Sequence, residues 1–308
     1  MAGAIILSIG FGIKVEAEND PHVKTAERGL EAISAGSTAQ AAMFDFFPML
    51  KNMPSWFPGA GFKEEAKGLR RFSKAMVDGP MQATKDAMAA GKASSSVASA
   101  MMTQLETEPQ TEVEELVAKQ LPSNMYLGGA DTTVCALAYF FLAMTLYPEV
   151  QRKAQDEIDL VVGHDRLPDW SDQQSLPYVD ALVKEVLRWR NITPLGVYHR
   201  LTANDIYEDY FLPAGSTVVG NIWAILHDEI VFPDPLAFKP ERFLDSKVDF
   251  PEMVFGFGRR ICPGMYLARE SVWMAVASVL ASFDISKARD ENGKEIEPVD
   301  DCVEGIVA

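Results

Sequence analysis

Cysteine is scarce in this chain, with three residues in 308: Cys135, Cys262 and Cys302. An odd number with no C-x-x-C spacing excludes a fully paired disulfide framework and points to reduced, cytosol-facing chemistry. Histidine is nearly as scarce. His22, His164, His199 and His227 lie far apart and form no i,i+4 pair, which argues against a zinc site. Positive charge is in deficit too: 28 Lys and Arg stand against 44 Asp and Glu, a formal net charge of -16. A chain so acidic repels polyanions, so nucleic acid is excluded as a partner. No internal repeat is visible. Met1 to Ile9 is apolar but lacks a basic n-region, and glycines interrupt it before Lys14. It is too short to span a bilayer and wrong for a signal peptide, so it reads as a core helix.

What is present is ordinary globular composition, 48% hydrophobic and 23% charged. Met43 to Pro58 sets Phe44, Phe46, Phe47, Trp56 and Phe57 among three prolines and reads as a helix end running into an apolar loop that lines a pocket, touches a membrane or is plain core. Gly61 to Gly91 suits an amphipathic helix broken near Pro80. The Ser- and Ala-rich stretch Ala93 to Met102 reads as a connector. Thr111 and Glu114 then form a T-x-x-E capping box that announces a central helix over about 111–147, stopping before Pro148. Its apolar second half would pass a hydropathy scan for a membrane span, yet Asp131 inside it makes a core helix the better reading. Pro122 within it costs roughly 3 kcal/mol unless the helix starts later. Leu176 to Arg190 predicts a further strong helix, Val197 to Arg200 and Thr217 to Asn221 short strands, and Gly264 to Phe283 a final long helix. The expected fold class is mainly α with small β-sheets.

Phe255 to Gly264 carries the strongest chemical signal. Gly256 and Gly258 permit a tight turn in which backbone amides can face a sulfur. Cys262 stands just before the final helix, where the positive end of the helix dipole and Arg260 favour thiolate over thiol. Such a thiolate is a nucleophile or a metal ligand. A dinucleotide fingerprint fails, because its third glycine would fall on Ile261, and no histidine base stands nearby in sequence. Elsewhere, Glu185 and Arg188 share a helix face three residues apart. Gly128-Gly129-Ala130-Asp131-Thr132 places small residues beside a carboxylate and a hydroxyl, which by itself is a helix kink with a polar pair.

The spacing F-x-x-G-x-R-x-C-x-G, carried by Phe255, Gly258, Arg260, Cys262 and Gly264, resembles the haem-binding loop of the cytochrome P-450 family. The resemblance implies a haem-dependent monooxygenase that inserts one oxygen atom from O2 into an apolar organic substrate, with electrons from NADPH delivered by a separate NADPH-cytochrome P-450 reductase. It makes Cys262 the axial ligand of the haem b iron, Arg260 a propionate contact and Phe255 the residue packed beside the ligand loop; a thiolate donor favours O–O cleavage. It joins Glu185, Arg188 and Arg242 of Pro240-Glu241-Arg242-Phe243 in one buried charge network. It likens Gly128 to Thr132 to the oxygen-activation motif, with Asp131 and Thr132 moving protons. By the same resemblance His199 and Arg200 contact propionates, and Ala130, Leu195 and Val197 face the substrate. The Asn191-Ile192-Thr193 sequon is discounted in a cytosol-facing chain.

The resemblance further implies one partial domain, residues 1–308, lacking the family's N-terminal portion and its final hairpin. It places the protein on the cytosolic face of the endoplasmic reticulum membrane, with contact through 43–58 and no anchor in this chain. Rival expectations are a truncated product with weak haem binding and a helical membrane or interaction protein.

Overall fold

The structure is a computed structural model and describes residues 2–16, 18–35, 47–52, 54, 62–107, 111–244 and 248–298. Most of the aromatic stretch 43–58 and Cys302 lie outside the described residues. The chain divides into two compact units, the boundary falling between Val134 and Cys135.

Among the described residues, four helices and the first part of a fifth build the first unit. Helix α1 (Ala2–Phe11) buries Ile6, Leu7 and Phe11, in agreement with the expected core helix. Helix α2 (Pro21–Ala35), which the sequence did not announce, starts at Asp20, whose carboxylate accepts from the His22 and Val23 amides at 2.8 and 3.2 Å. That is ordinary capping of amides that have no intrahelical partner. Helix α3 (Phe62–Ala89) runs through Pro80 without the expected break. Just beyond, the Thr84 hydroxyl lies 2.8 Å from the Phe11 carbonyl and 3.0 Å from the Pro80 carbonyl, tying the turn after the proline to α1.

The expected connector is mostly helix. Helix α4 (Val97–Thr107) begins with a reciprocal serine cap: the Ser99 amide donates to Ser96 Oγ at 3.1 Å and the Ser96 amide to Ser99 Oγ at 2.9 Å. Small residues there are cap and contact surface, with Ala98 fully buried against Ile6, Leu7, Phe11 and Tyr126. Tyr126 also donates its hydroxyl to the His22 carbonyl at 2.8 Å.

Helix α5 (Glu112–Leu146) is the central helix, and its capping box forms as expected, with the Thr111 amide on Glu114 Oε2 at 2.8 Å and the Glu114 amide on Thr111 Oγ1 at 3.3 Å. It does not start later to avoid Pro122 but carries the proline inside. Pro122 is buried, and Gly10 of α1 meets it closely; a Cβ at Gly10 would lie 3.6 Å from the Pro122 carbonyl oxygen. Tertiary packing of this kind offsets the lost backbone bond. By length and composition α5 could cross a membrane, and a third of its most apolar stretch is buried within the protein.

In the second unit, the rest of α5 packs with α6 (Pro148–Val161), α7 (Pro177–Trp189) and α9 (Met265–Leu280) around Phe140, Met144, Ile158, Leu182, Val186 and Trp273. Side chains of this size each contribute ~1.5–3 kcal/mol when fully buried. Helix α7 has no side-chain cap of its own. Pro177 fills its first position, and Glu157 of α6 accepts from the Tyr178 and Val179 amides at 2.9 and 3.0 Å.

The strands are shorter than expected: β1 (His199–Arg200) pairs antiparallel with β4 (Thr217–Val218), His199 opposite Val218. Between them lies an unanticipated hairpin, β2 (Asp205–Tyr207) with β3 (Tyr210–Leu212). A short helix, α8 (Ile222–Leu226), follows, capped by Asn221.

Candidate functional site

The cysteine loop is built from residues that cannot continue regular structure. Gly256 and Gly258 adopt φ of +88° and +59°, a region costly for side-chain-bearing residues, so the loop turns twice within three residues. The second turn brings the Cys262 amide back onto the Phe255 carbonyl at 2.8 Å. Cys262 is then exposed and unpaired two residues before Gly264, the N-cap of α9. The Gly264 Cα is close to it, for a Cβ there would meet Cys262 Sγ at 3.8 Å. Phe255 is half-buried against the second core, and Arg259 and Arg260 are exposed. A contact that sequence reasoning missed sits beside them. Gly220, just past β4, seats the Phe257 ring, so that a Cβ would fall 2.6 Å from its Cε2. Nothing in the spacing of Gly220 signals this.

Glu185 and Arg188 are both fully buried. Arg188 donates through Nε and Nη2 to the two Glu185 oxygens at 2.7 and 2.8 Å, a two-point fork. Arg242 Nε adds a bond to Glu185 Oε1 at 3.1 Å, and the Lys239 amide another at 2.8 Å. Further guanidinium bonds go to backbone: Arg188 to Leu226 and Pro235, Arg242 to Pro233, Asp234 and Ala237. One carboxylate thus organises the irregular segment 226–243 from the rigid face of α7. Glu241, next to Arg242, turns outward to Lys153 of α6 and Tyr178 of α7 at 2.6 and 3.1 Å.

Of the other candidates, His199 and Arg200 are exposed on β1, and Arg200 extends toward Gly215, where a Cβ would touch its guanidinium at 3.4 Å. Leu195 and Val197 are exposed in the loop before β1. Asn191 is buried and its side-chain oxygen accepts from the Thr193 amide at 2.7 Å, so the sequon is a local cap.

In the first unit, α5 is unbroken through Gly128 to Thr132. Gly129 is small because α1 presses on it; a Cβ would lie 2.6 Å from Ile6 Cγ1. Ala130 packs partly buried against the same cluster. Gly128 faces open space. Thr132 donates its hydroxyl to the Gly128 carbonyl at 2.6 Å, and burial pushes the Asp131 carboxyl above its usual range.

The family model for cytochrome P450 matches residues 1–303. A cytochrome P450 monooxygenase of Armillaria gallica is 44% identical over 299 residues, covering 96% of this chain and 59% of that protein. One from Postia placenta is 45% identical over 312 residues, 99% of this chain and 60% of that protein. One from Rhodocybe pseudopiperita is 41% identical over 317 residues, 100% of this chain and 60% of that protein. The chain belongs to the cytochrome P450 family, whose members are haem proteins. It spans about three-fifths of the length of the curated relatives it matches.

The residues present fit such a group. An exposed, unpaired thiol is a soft donor suited to iron. It stands on a cradle of glycines whose backbone a side chain would strain, and two arginines beside it offer charge to carboxylates.

Proposed function

We propose that this protein is a haem-dependent monooxygenase in which Cys262 would ligate the haem b iron. The observation that carries the reading is the exposed Cys262 thiol on a twice-turned glycine loop at the head of α9. When bound, the haem supplies O2 activation and the insertion of one oxygen atom into an apolar organic substrate, with electrons from NADPH through a separate NADPH-cytochrome P450 reductase. Arg260, Arg200 and His199 would hold its propionates; Phe255, Gly258 and Gly264 shape the sulfur-bearing loop.

Asp131 and Thr132 handle protons. Burial lets Asp131 keep its proton to higher pH than an ordinary aspartate, which suits a donor. Thr132 donates a hydrogen bond to the Gly128 carbonyl and so presents its oxygen lone pairs outward as an acceptor; turning the hydroxyl away from that carbonyl frees its proton to be passed on as another is accepted. Ala130, Leu195 and Val197 form part of the substrate wall, and the Glu185–Arg188–Arg242 network is the scaffold of the haem-side segment. Residues 1–308 are read as part of a single P450 domain, on the cytosolic face of the endoplasmic reticulum membrane, with 43–58 as a membrane contact.

The test is the spectrum of the reduced, CO-bound full-length protein. The native protein gives the thiolate-type carbonyl band, and Cys262→Ser loses it even if haem remains, because only a thiolate donates strongly enough to the iron. Retention of that band in Cys262→Ser overturns the ligand assignment. A protein that binds no haem at all is instead a helical interaction protein.

A further inference from the structure

Arg269 lies on α9, seven residues beyond Cys262 and four beyond the helix's first residue, Met265, which is about one turn or roughly 6 Å of helix. Its guanidinium carbon sits 4.2 Å from the centroid of the Phe250 ring. Arg269 makes no ion pair with a described residue, so the ring face is the contact that fixes this cation. The Phe250 ring in turn meets the Phe255 ring, centroids 6.2 Å apart and planes at 36°. Both rings are half-buried against the second core. The Phe255 carbonyl is the acceptor for the Cys262 amide at 2.8 Å. A continuous set of contacts therefore runs from the helix to the sulfur-bearing residue: guanidinium, ring, ring, carbonyl, amide.

Apart from the Phe257 ring seated on Gly220, the loop is held by short backbone turns. Residues 257–260, 262 and 263 are all exposed, and the two glycines allow many backbone conformations. Whatever fixes Phe255 fixes the acceptor that orients Cys262. Phe250 lies in a stretch without regular structure, whereas Arg269 projects from a helix of 16 residues.

We propose that Arg269 is a positioning residue, whose cation–π clamp on Phe250 presses that ring against Phe255 and holds the Cys262 loop in the geometry needed for sulfur ligation. This rests on the reading of Cys262 as the haem ligand. The clamp acts through charge as well as bulk. Lysine can place an ammonium over the same ring, though without the planar stacking of a guanidinium, while methionine matches the length and has no charge.

The experiment uses the haem-loaded full-length protein and its Arg269→Met, Arg269→Lys, Phe250→Leu and Arg269→Met/Phe250→Leu variants. The readout is the rate at which the thiolate-type carbonyl band converts to the non-thiolate band in mild urea. A partly exposed cation–π contact corresponds to about a two- to five-fold change in an equilibrium. Arg269→Met and Phe250→Leu should each speed conversion by about that factor. The double variant should be no faster than the faster single one, and Arg269→Lys should fall between native and Arg269→Met. A rate unchanged in Arg269→Met, or multiplied effects in the double variant, overturns the clamp. If Arg269→Met yields no haem protein, Phe250→Leu and Arg269→Lys decide: native rates in both overturn the proposal. A native protein without the thiolate-type band overturns the haem-thiolate reading and the clamp with it, whereas a normal band with unaffected Arg269 variants overturns the clamp alone.

Discussion

Replacing Glu185 by alanine removes the one carboxylate that two arginines and a backbone amide share at zero solvent exposure. Breaking a buried ion pair from one side costs about 3–5 kcal/mol, because the stranded charge is not rehydrated. The orphaned Lys239 amide adds about 1–3 kcal/mol unless water enters the space. Backbone carbonyls moderate the loss: Arg188 keeps Leu226 and Pro235, and Arg242 keeps Pro233 and Asp234. The expected net cost is therefore about 3–5 kcal/mol, against a total stability of roughly 5–15 kcal/mol for a typical protein. Urea unfolding of the full-length protein should show a large fall in midpoint with little change in slope, or no folded haem protein at all. Glu185→Gln keeps one acceptor and should lose less. The double substitution Glu185→Leu/Arg188→Leu should not recover stability, although apolar replacement of buried pairs often does. Here Arg188 also satisfies carbonyls at the end of α8 and in the loop beyond it, and leucine leaves those unpaired. Melting of Glu185→Ala within a degree or two of the native protein would refute this account of the network.

Two predictions concern α5, beside those made for Cys262 and Arg269. Thr132→Ala in the full-length protein should keep haem and substrate binding but consume NADPH without matching product, because the outward lone pairs at Oγ1 are gone; unchanged coupling, measured as product per NADPH, would assign proton delivery elsewhere. Asp131→Asn should raise the melting temperature at neutral pH. The folded pKa of Asp131 lies above its unfolded value, so the folded state binds the proton more tightly and loses stability as pH rises through that interval. Asparagine escapes this cost, so its advantage should fade as pH falls to the ordinary aspartate range and Asp131 is protonated in both states; an advantage independent of pH would show that burial of the charge is not its cause.

Features written within a few neighbouring residues were legible. The T-x-x-E cap and the glycine turn before Cys262 need only local spacing, and both form as read. Glu185 and Arg188 advertised their shared face, but i,i+3 spacing is silent about burial. The third member, Arg242, is 57 residues away from Glu185 and came only from the family resemblance. Segments whose conformation is decided by distant contacts were misjudged. The Ser- and Ala-rich run looked like a connector, yet Ala98 is helical because its small side chain is wanted between α1 and Tyr126. Pro80 looked like a break, yet its helix continues, and Pro122, read as a cost inside the central helix, is carried within it. The β2–β3 turn puts Glu208 and Asp209 at φ of 45° and 68°, without the Asn-Gly or Asp-Gly pair that marks such hairpins.

The two glycines of α5 differ in what packing asks of them. Gly128 and Gly129 are adjacent, about 100° apart around a helix, so they cannot serve the same neighbour. Gly129 admits Ile6 of α1, and its lack of a side chain is explained by packing within the first unit. Gly128 has nothing within 4 Å of where a Cβ would be, so packing does not require glycine there, and its carbonyl is the one that holds the Thr132 hydroxyl. Helix contact accounts for Gly129, and nothing in the structure explains the glycine at 128. Gly128→Ala is therefore the substitution that α1 does not oppose, whereas Gly129→Ala must first displace Ile6 from a fully formed core.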